Sequence, residues 1–124
     1  MGKESLIGTK HKKIVVKHLN GSSKYIPKEV GTWKAFWLKN SNGRQFPEDD
    51  TKCLSCGKSK KATDFVGGHI FEVTDSDKMY ICPVCESCNS TYGEGKEPSP
   101  EFIVTVNDCV DFTLEDAVER PEKS

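Results

Sequence analysis

Five of the six cysteines of this chain lie in two short clusters, and their spacing constrains the fold more than any other feature. Cys53 and Cys56 are two residues apart, and Cys82, Cys85 and Cys88 repeat that spacing in the second cluster. A Cys-x2-Cys turn can place two thiolates on one ion, and two such turns supply the four ligands of a tetrahedral zinc site. The sequence therefore predicts a zinc site to which each cluster contributes two thiolates.

The second cluster offers two ligand pairs, because Cys82/Cys85 and Cys85/Cys88 have the same spacing. Cys82 comes between the apolar Ile81 and Pro83, which favours a strand end where the thiol packs as a small apolar group. Cys82 stays the alternative to Cys88 as fourth ligand. Four thiolates close the coordination sphere, so the zinc would be structural. The predicted metal ligands are Cys53, Cys56, Cys85 and Cys88.

The composition is that of one small domain with a modest core. The chain has 124 residues, 35% of them hydrophobic, and a mean hydropathy of −0.59. We expect a single domain over 1–124, with an N-terminal hairpin and Trp-containing helix in 1–52, a zinc-binding core in 53–95, and an acidic strand and helix in 96–124.

The same features predict a compartment. No apolar run is long enough for a membrane span, and the N-terminus does not have the pattern of a secretory signal. Clustered cysteines in a protein that is not exported are more often reduced, metal-binding thiols than disulfides. We therefore expect no membrane partner and a cytoplasmic location, either in a bacterium or in the host of a phage.

Periodicity and turn residues predict an α+β fold. Apolar or β-branched runs predict strands at 13–19, 22–26, 64–73, 78–81 and 102–106, the last at a sheet edge. The dipeptide Asn20-Gly21 favours a hairpin between the first two strands. Helices are expected from Thr32 to about residue 39, from near Cys85 to residue 93 or 95, and over 113–119.

Aromatic residues at helical spacing mark the first of these helices. Trp33, Phe36 and Trp37 follow the i, i+3, i+4 pattern of a buried stripe, so we expect them in the core, with a base-stacking platform as the alternative. His11, His18 and Cys109 have no partners at ligand spacing. We expect surface histidines and an incidental thiol.

Charge is divided unevenly along the chain. Residues 1–61 carry 14 Lys/Arg and 5 Asp/Glu, whereas residues 62–124 carry 4 and 14, which gives +9 and −10 and sums to the net −1. The basic half could bind DNA or RNA, and the acidic half could bind a basic protein. Alternatively, the two halves compensate each other within the fold.

The order of the motifs resembles the HNH, or ββα-metal, nucleases. Cys53-x2-Cys56, then His69 on a strand, a hairpin, and Cys85-x2-Cys88-Asn89 follow one another within residues 53–92. The likeness is greatest to the zinc-containing phage recombination endonuclease VII type. It implies a treble-clef core whose four cysteines hold a structural zinc.

The resemblance also implies a catalytic site. In that family the histidine at the position of His69 is the general base for phosphodiester hydrolysis, and the residue at Asn89 helps to hold a catalytic Mg²⁺ or Mn²⁺. The family's acidic metal ligand precedes the histidine, where this chain has Gly68. Asp64 or Glu72 would replace it only through irregular backbone, because Glu72 on a regular strand points away from His69.

Three functions follow as hypotheses. The chain is a metal-dependent HNH-like endonuclease, a catalytically inactive zinc scaffold that binds nucleic acid, or a phage or bacterial protein-interaction factor. Without catalysis, His69 would be a buried histidine bonded to a carbonyl or a replacement zinc ligand, and Asn89 a cap or turn residue. Nucleic acid would meet the lysines of the basic half, Lys10, Lys12, Lys13, Lys17, Lys34 and Lys39.

Overall fold

The chain folds as mixed α+β in a computed structural model that describes residues 12–19, 25–28, 30–41, 43–93 and 95–119. Its strands, numbered in chain order, are β1 (Lys13–His18), β2 (Tyr25–Pro27), β3 (Thr51–Lys52), β4 (Ser59–Lys60), β5 (Phe65–Glu72), β6 (Asp75–Cys85), β7 (Phe102–Thr105), β8 (Val110–Phe112) and β9 (Ala117–Glu119). Its helices are α1 (Trp33–Asn40) and α2 (Glu86–Gly93).

One antiparallel sheet organises these elements. Its strand order is β7-β1-β5-β6-β8, so β7 forms an edge, as the sequence predicts. The β5–β6 hairpin is its centre, and β6 is far longer than the predicted strand at 78–81. Pro83 lies inside β6, because β8 pairs with β6 only from Met79 to Ile81 and the ladder on that side ends before the proline.

Two consecutive glycines in β5 let a helix approach each face of the sheet. A Cβ added to Gly67 would lie 2.6 Å from the carbonyl carbon of Trp33, at the start of α1. A Cβ added to Gly68 would lie 2.5 Å from Val84 Cγ2 and 3.2 Å from Asn89 Oδ1, in α2. Successive residues of a strand point to opposite faces, so the helices lie on opposite sides of β5. The strand continues through both glycines.

Each helix covers its own hydrophobic core. The core between α2 and the sheet contains four cysteines of the second half, and its buried residues are Ile14, Val16, Cys53, Phe65, Ile70, Tyr80, Cys82, Val84, Cys85, Cys88, Phe102, Val104 and Cys109. The core beneath α1 consists of Trp33, Trp37, Ile81, Val110, Phe112 and Ala117.

The Trp-containing helix α1 forms as predicted. Thr32 has an extended backbone, and its Oγ1 accepts a hydrogen bond from the amide of Ala35 at 3.1 Å, which caps the first turn. Trp33 and Trp37 are buried, which confirms that this aromatic stripe belongs to the core. Their indole N–H groups donate to the carbonyls of Tyr25 and Asp108.

Two predictions about the chain's ends are wrong in the described residues. β2 pairs with β9 and not with β1, whose partners are β5 and β7. The Asn20-Gly21 turn itself lies outside the described residues.

A strand also replaces the predicted C-terminal helix. Asp116 Oδ2 accepts from the amide and hydroxyl of Thr113 at 3.1 and 3.3 Å, which closes a single 3-10 turn over Leu114–Asp116. A helix of seven residues is marginal by itself, whereas pairing with β2 buries Ala117.

The close approach of α1 to β5 predicts that adding one methyl group at Gly67 destabilises the fold. Gly67→Ala should lower the free energy of unfolding by about 1–3 kcal/mol, because backbone atoms of α1 cannot move aside cheaply. Gly31→Ala is the matched control, since its Cβ would meet nothing within 4 Å. Urea unfolding of both variants measures the difference, and equal stabilities would contradict the packing described.

Candidate metal centre

Four cysteine thiols meet at one point of the structure. The Sγ atoms of Cys53, Cys56, Cys85 and Cys88 all lie within 4.8 Å of one another, and Sγ of Cys56 is 3.9 Å from Sγ of Cys85. A tetrahedron with Zn–S bonds of about 2.3 Å has edges of about 3.8 Å. The cluster therefore has the donor set and the size to hold a metal such as zinc.

A short knuckle presents the first two thiols. β3 and β4 pair antiparallel, and the amide of Cys53 donates to the carbonyl of Lys58 at 3.0 Å. The amide of Gly57 donates back to the carbonyl of Cys53 at 2.7 Å. Gly57 has φ 74°, a left-handed conformation that favours glycine, so the residue after Cys56 can reverse the chain without strain.

The junction between β6 and α2 presents the other two. Cys85 is the last residue of β6, and Cys88 lies in the first turn of α2. The amide of Cys85 approaches Sγ of Cys53 at 3.4 Å, a contact that stabilises negative charge on sulfur. The x2 spacing thus crosses from strand to helix, and it brings both thiols to the same side.

Cys82 does not join this cluster. It lies opposite Gly68 in the middle of the β5–β6 ladder and is fully buried. The alternative in which Cys82 replaces Cys88 as fourth ligand therefore lacks the geometry it needs.

The pKa shifts of the cluster thiols differ between the exposed Cys56 and the buried Cys85 and Cys88. Burial raises the pKa of Cys56, but hydrogen bonds from the Lys58 backbone and from the other cluster thiols lower it on balance below its ordinary value. Burial raises the pKa of Cys85 and Cys88. Buried thiols of this kind deprotonate when a divalent cation binds them, because the cation supplies the compensating charge.

His18 supports the cluster from behind, contrary to the prediction of a surface histidine. It is buried, and its Nε2 lies 2.8 Å from Oγ of Ser55, inside the knuckle. The Ser55 hydroxyl in turn opposes the rise that burial causes in the pKa of Cys88. The alternation of β1 carries the signal for this position, since His18 is in phase with buried Ile14 and Val16.

Aromatic neighbours fix the His18 ring. Its centroid is 5.4 Å from that of Tyr92 and 5.0 Å from that of Phe102. Burial lowers the pKa of His18 to about 4, so the ring is neutral at physiological pH.

His69 and Asn89 do not form one site. His69 is 5% exposed on the α1 side of β5, with ring centroids 4.6 Å from Trp33 and 5.0 Å from Phe112. Burial lowers its pKa to about 4, and its Nε2 has no hydrogen-bond partner in the described part of the chain. Asn89 belongs to α2 on the other side of the sheet. His69 is neither bonded through Nε2 to a carbonyl nor placed at the thiol cluster.

The carboxylates that could replace the family's acidic ligand are also elsewhere. Asp64 Oδ2 accepts from the amide of Lys61 at 3.2 Å and caps a 3-10 turn. Glu72 pairs opposite Val16, which places it on the α2 side and away from His69. An acidic side chain at Gly68 would collide with Val84. In this fold, no described carboxylate shares a site with both His69 and Asn89.

No family model, curated protein or solved structure matches this chain. Among the described residues, no helix has the length and apolar character needed to cross a membrane.

The cluster predicts one tightly bound metal ion per chain. Native mass spectrometry should find one ion in the wild type and none in Cys53→Ser or Cys88→Ser, whereas Cys82→Ser is the matched control and should keep it. Chelation should unfold the β5–β6 hairpin and α2, because structural zinc contributes on the order of 10 kcal/mol to folding. Metal retention in Cys88→Ser together with loss in Cys82→Ser would show that the ligand set is different.

The His18–Ser55 contact predicts a measurable effect on metal affinity. His18→Phe keeps the ring stacking and removes the hydrogen bond, so we expect affinity to fall by about 10-fold. Competition with a chromogenic chelator measures the change. Ser55→Ala should give a similar loss, and the double variant should add little, because both changes break the same chain of contacts. Fully additive losses would show that the two side chains act independently.

Proposed function

We propose that this protein is a zinc-stabilised treble-clef module that binds nucleic acid and does not use His69 for hydrolysis. The order knuckle, β5–β6 hairpin and α2 supports a treble clef, with two thiols from the knuckle and two from the strand–helix junction. Four thiolates favour zinc among the common metals, because soft sulfur ligands in a tetrahedral set suit it well.

The placement of His69 argues against the nuclease. A general base must reach water and the scissile phosphate, and this ring is enclosed by Trp33 and Phe112. The catalytic ion would also need oxygen ligands beside the histidine, and Asn89 lies across the sheet. The resemblance to the HNH family therefore supports the scaffold better than it supports the chemistry.

An uncovered part of the sheet carries the proposed binding role. α1 covers β5 and β6, whereas the outward residues of β1 and β7 on the same side form an open β1–β7 face of Lys13, Val15, Lys17 and Ile103. Val15 and Ile103 are cross-strand partners that are 37% and 58% exposed. An exposed apolar pair between two lysines suits the sugar–phosphate backbone, whose charge the lysines would neutralise.

Charges around the open β1–β7 face remain positive on balance. Lys12 is exposed beside Lys13, and the register places Glu101 opposite Lys17. Asp108 accepts a hydrogen bond from Thr105, the partner of Lys13, so three lysines face two carboxylates. The acidic half meets basic residues of this chain elsewhere. Asp111, Glu115 and Asp116 line a cavity of about 650 Å³ together with Lys28, Lys39 and Arg44. This compensation weakens the hypothesis of a basic protein partner.

Salt-dependent binding tests the proposal. Fluorescein-labelled DNA and RNA, each single- and double-stranded, should bind the wild type at low salt. In Lys13→Gln/Lys17→Gln the affinity should fall about 10-fold and the slope of log K against log salt should drop by about 1–2, because two phosphate contacts are lost. Lys78→Gln is the matched control, an exposed lysine at the far end of β6.

His69→Phe separates binding from hydrolysis. We expect this variant to keep both zinc and nucleic-acid affinity, since phenylalanine fits between the neighbouring rings. Cleavage by the wild type with Mg²⁺ or Mn²⁺ that disappears in His69→Phe would restore the nuclease hypothesis. Absence of binding to every probe at low salt, or equal losses in the Lys78 control, would overturn the proposed interface.

A further inference from the structure

Cys82 and Cys109 face each other across two strands, although the sequence gives them no shared motif. β6 and β8 pair antiparallel through Met79↔Phe112, Tyr80↔Asp111 and Ile81↔Val110. The next pair in this register is Cys82 with Cys109, and the backbone of Cys109 is extended at φ −115°, ψ 153°. Directly opposite residues of an antiparallel ladder point to the same face.

This placement satisfies the geometric requirement for a disulfide. Opposite residues in an antiparallel pair have Cα atoms about 4.5–5.5 Å apart, inside the range that a disulfide bridges. The Cys109 thiol is the largest cause of the raised pKa of the Cys82 thiol, as expected for two side chains that face each other. Cys82 and Cys109 are 0% and 6% exposed.

The pair is separate from the metal centre. Neither sulfur belongs to the group of four that converges on one point. Sγ of Cys109 lies 3.5 Å from the carbonyl oxygen of Thr105, and Sγ of Cys82 lies 3.8 Å from that of Pro83. In both contacts the thiol donates to a backbone carbonyl outside the cluster of four.

Cys109 is the less enclosed of the two residues. Cys109 lines the cavity of about 650 Å³ between α1 and the C-terminal 3-10 turn, together with charged side chains of both signs. Cys82 lies behind it with no exposed surface. Because Cys109 is 6% exposed and Cys82 is 0% exposed, a small polar oxidant reaches Cys109 first, and the strand register places Cys82 opposite it.

We propose that Cys82 and Cys109 are a second thiol site, which hydrogen peroxide converts to an intramolecular disulfide. The Cys109 sulfur attacks the O–O bond, takes one oxygen as sulfenic acid and releases the other as water. The Cys82 sulfur then displaces the sulfenic oxygen, which leaves as a second water with the Cys82 proton. Two thiols are oxidised and one peroxide is reduced.

Peptide mapping of zinc-loaded protein tests this site. After peroxide treatment, alkylation in denaturant and trypsin digestion, we expect a cross-link between the peptide that begins at Met79 and the one that contains Cys109, with fragmentation placing it at Cys82. The zinc content should stay unchanged, because metal-bound thiolates are protected. This readout uses the unmodified chain and does not depend on a variant folding.

Two variants assign the order of the steps. Cys82→Ala should leave Cys109 at the sulfenic acid, which dimedone traps. Cys109→Ala should leave Cys82 reduced at the same peroxide dose, since Cys82 has no exposed surface of its own. Loss of zinc and oxidation of Cys85 and Cys88 before any Cys82–Cys109 link forms would overturn the proposal. So would free, alkylated Cys82 and Cys109 at every dose.

Discussion

The convergence of four sulfur atoms joins two regions that the chain keeps apart. The knuckle after β3 supplies two thiols and the junction of β6 with α2 supplies two more, on either side of the β5–β6 hairpin. Three of the four thiols are buried in the core beneath α2. An ion held by these thiols would link the hairpin, the helix and a loop with little regular structure of its own, and would fix α2 against the hairpin.

The central strand β5 connects the thiol cluster on one side of the sheet to α1 on the other side. Gly67 and Gly68 have no side chains, so α1 and α2 can both reach the backbone of the same strand. His69 fills the next position on the α1 side and packs against Trp33 and Phe112. The residue that a motif comparison selects as a catalytic base is here a component of a hydrophobic core.

Local patterns in the sequence predicted the features that depend on neighbouring residues. The x2 spacing together with the apolar neighbours of Cys82 selected the four thiols that meet, and Thr32 with the aromatic stripe located α1. Long-range pairings were beyond those patterns. β2 pairs with β9, some ninety positions along the chain. Nothing local to either strand specifies that partner, whereas Asn20-Gly21 favoured a local hairpin.

Motif spacing also gave no indication of the positions of His18 and His69 in the fold. His18 contacts the knuckle through the hydroxyl of Ser55, and these two residues are distant in sequence. Only the alternation of β1 indicates that the ring is buried. The opposite placement of His69 and Asn89 follows from which face of β5 each helix covers, and that depends on packing across the sheet rather than on the motif itself.

The two tryptophans belong to α1 and pack on the side of β5 opposite to the thiol cluster. Neither indole belongs to the core that holds the sulfur atoms. Both helices rest on β5, and Phe46 packs against both cores and lies edge-on to Trp37, so loosening that starts at the knuckle would reach the indoles through these shared neighbours. Intrinsic fluorescence of Trp33 and Trp37 is therefore a natural optical reporter of whether the two halves of the molecule act as one cooperative unit.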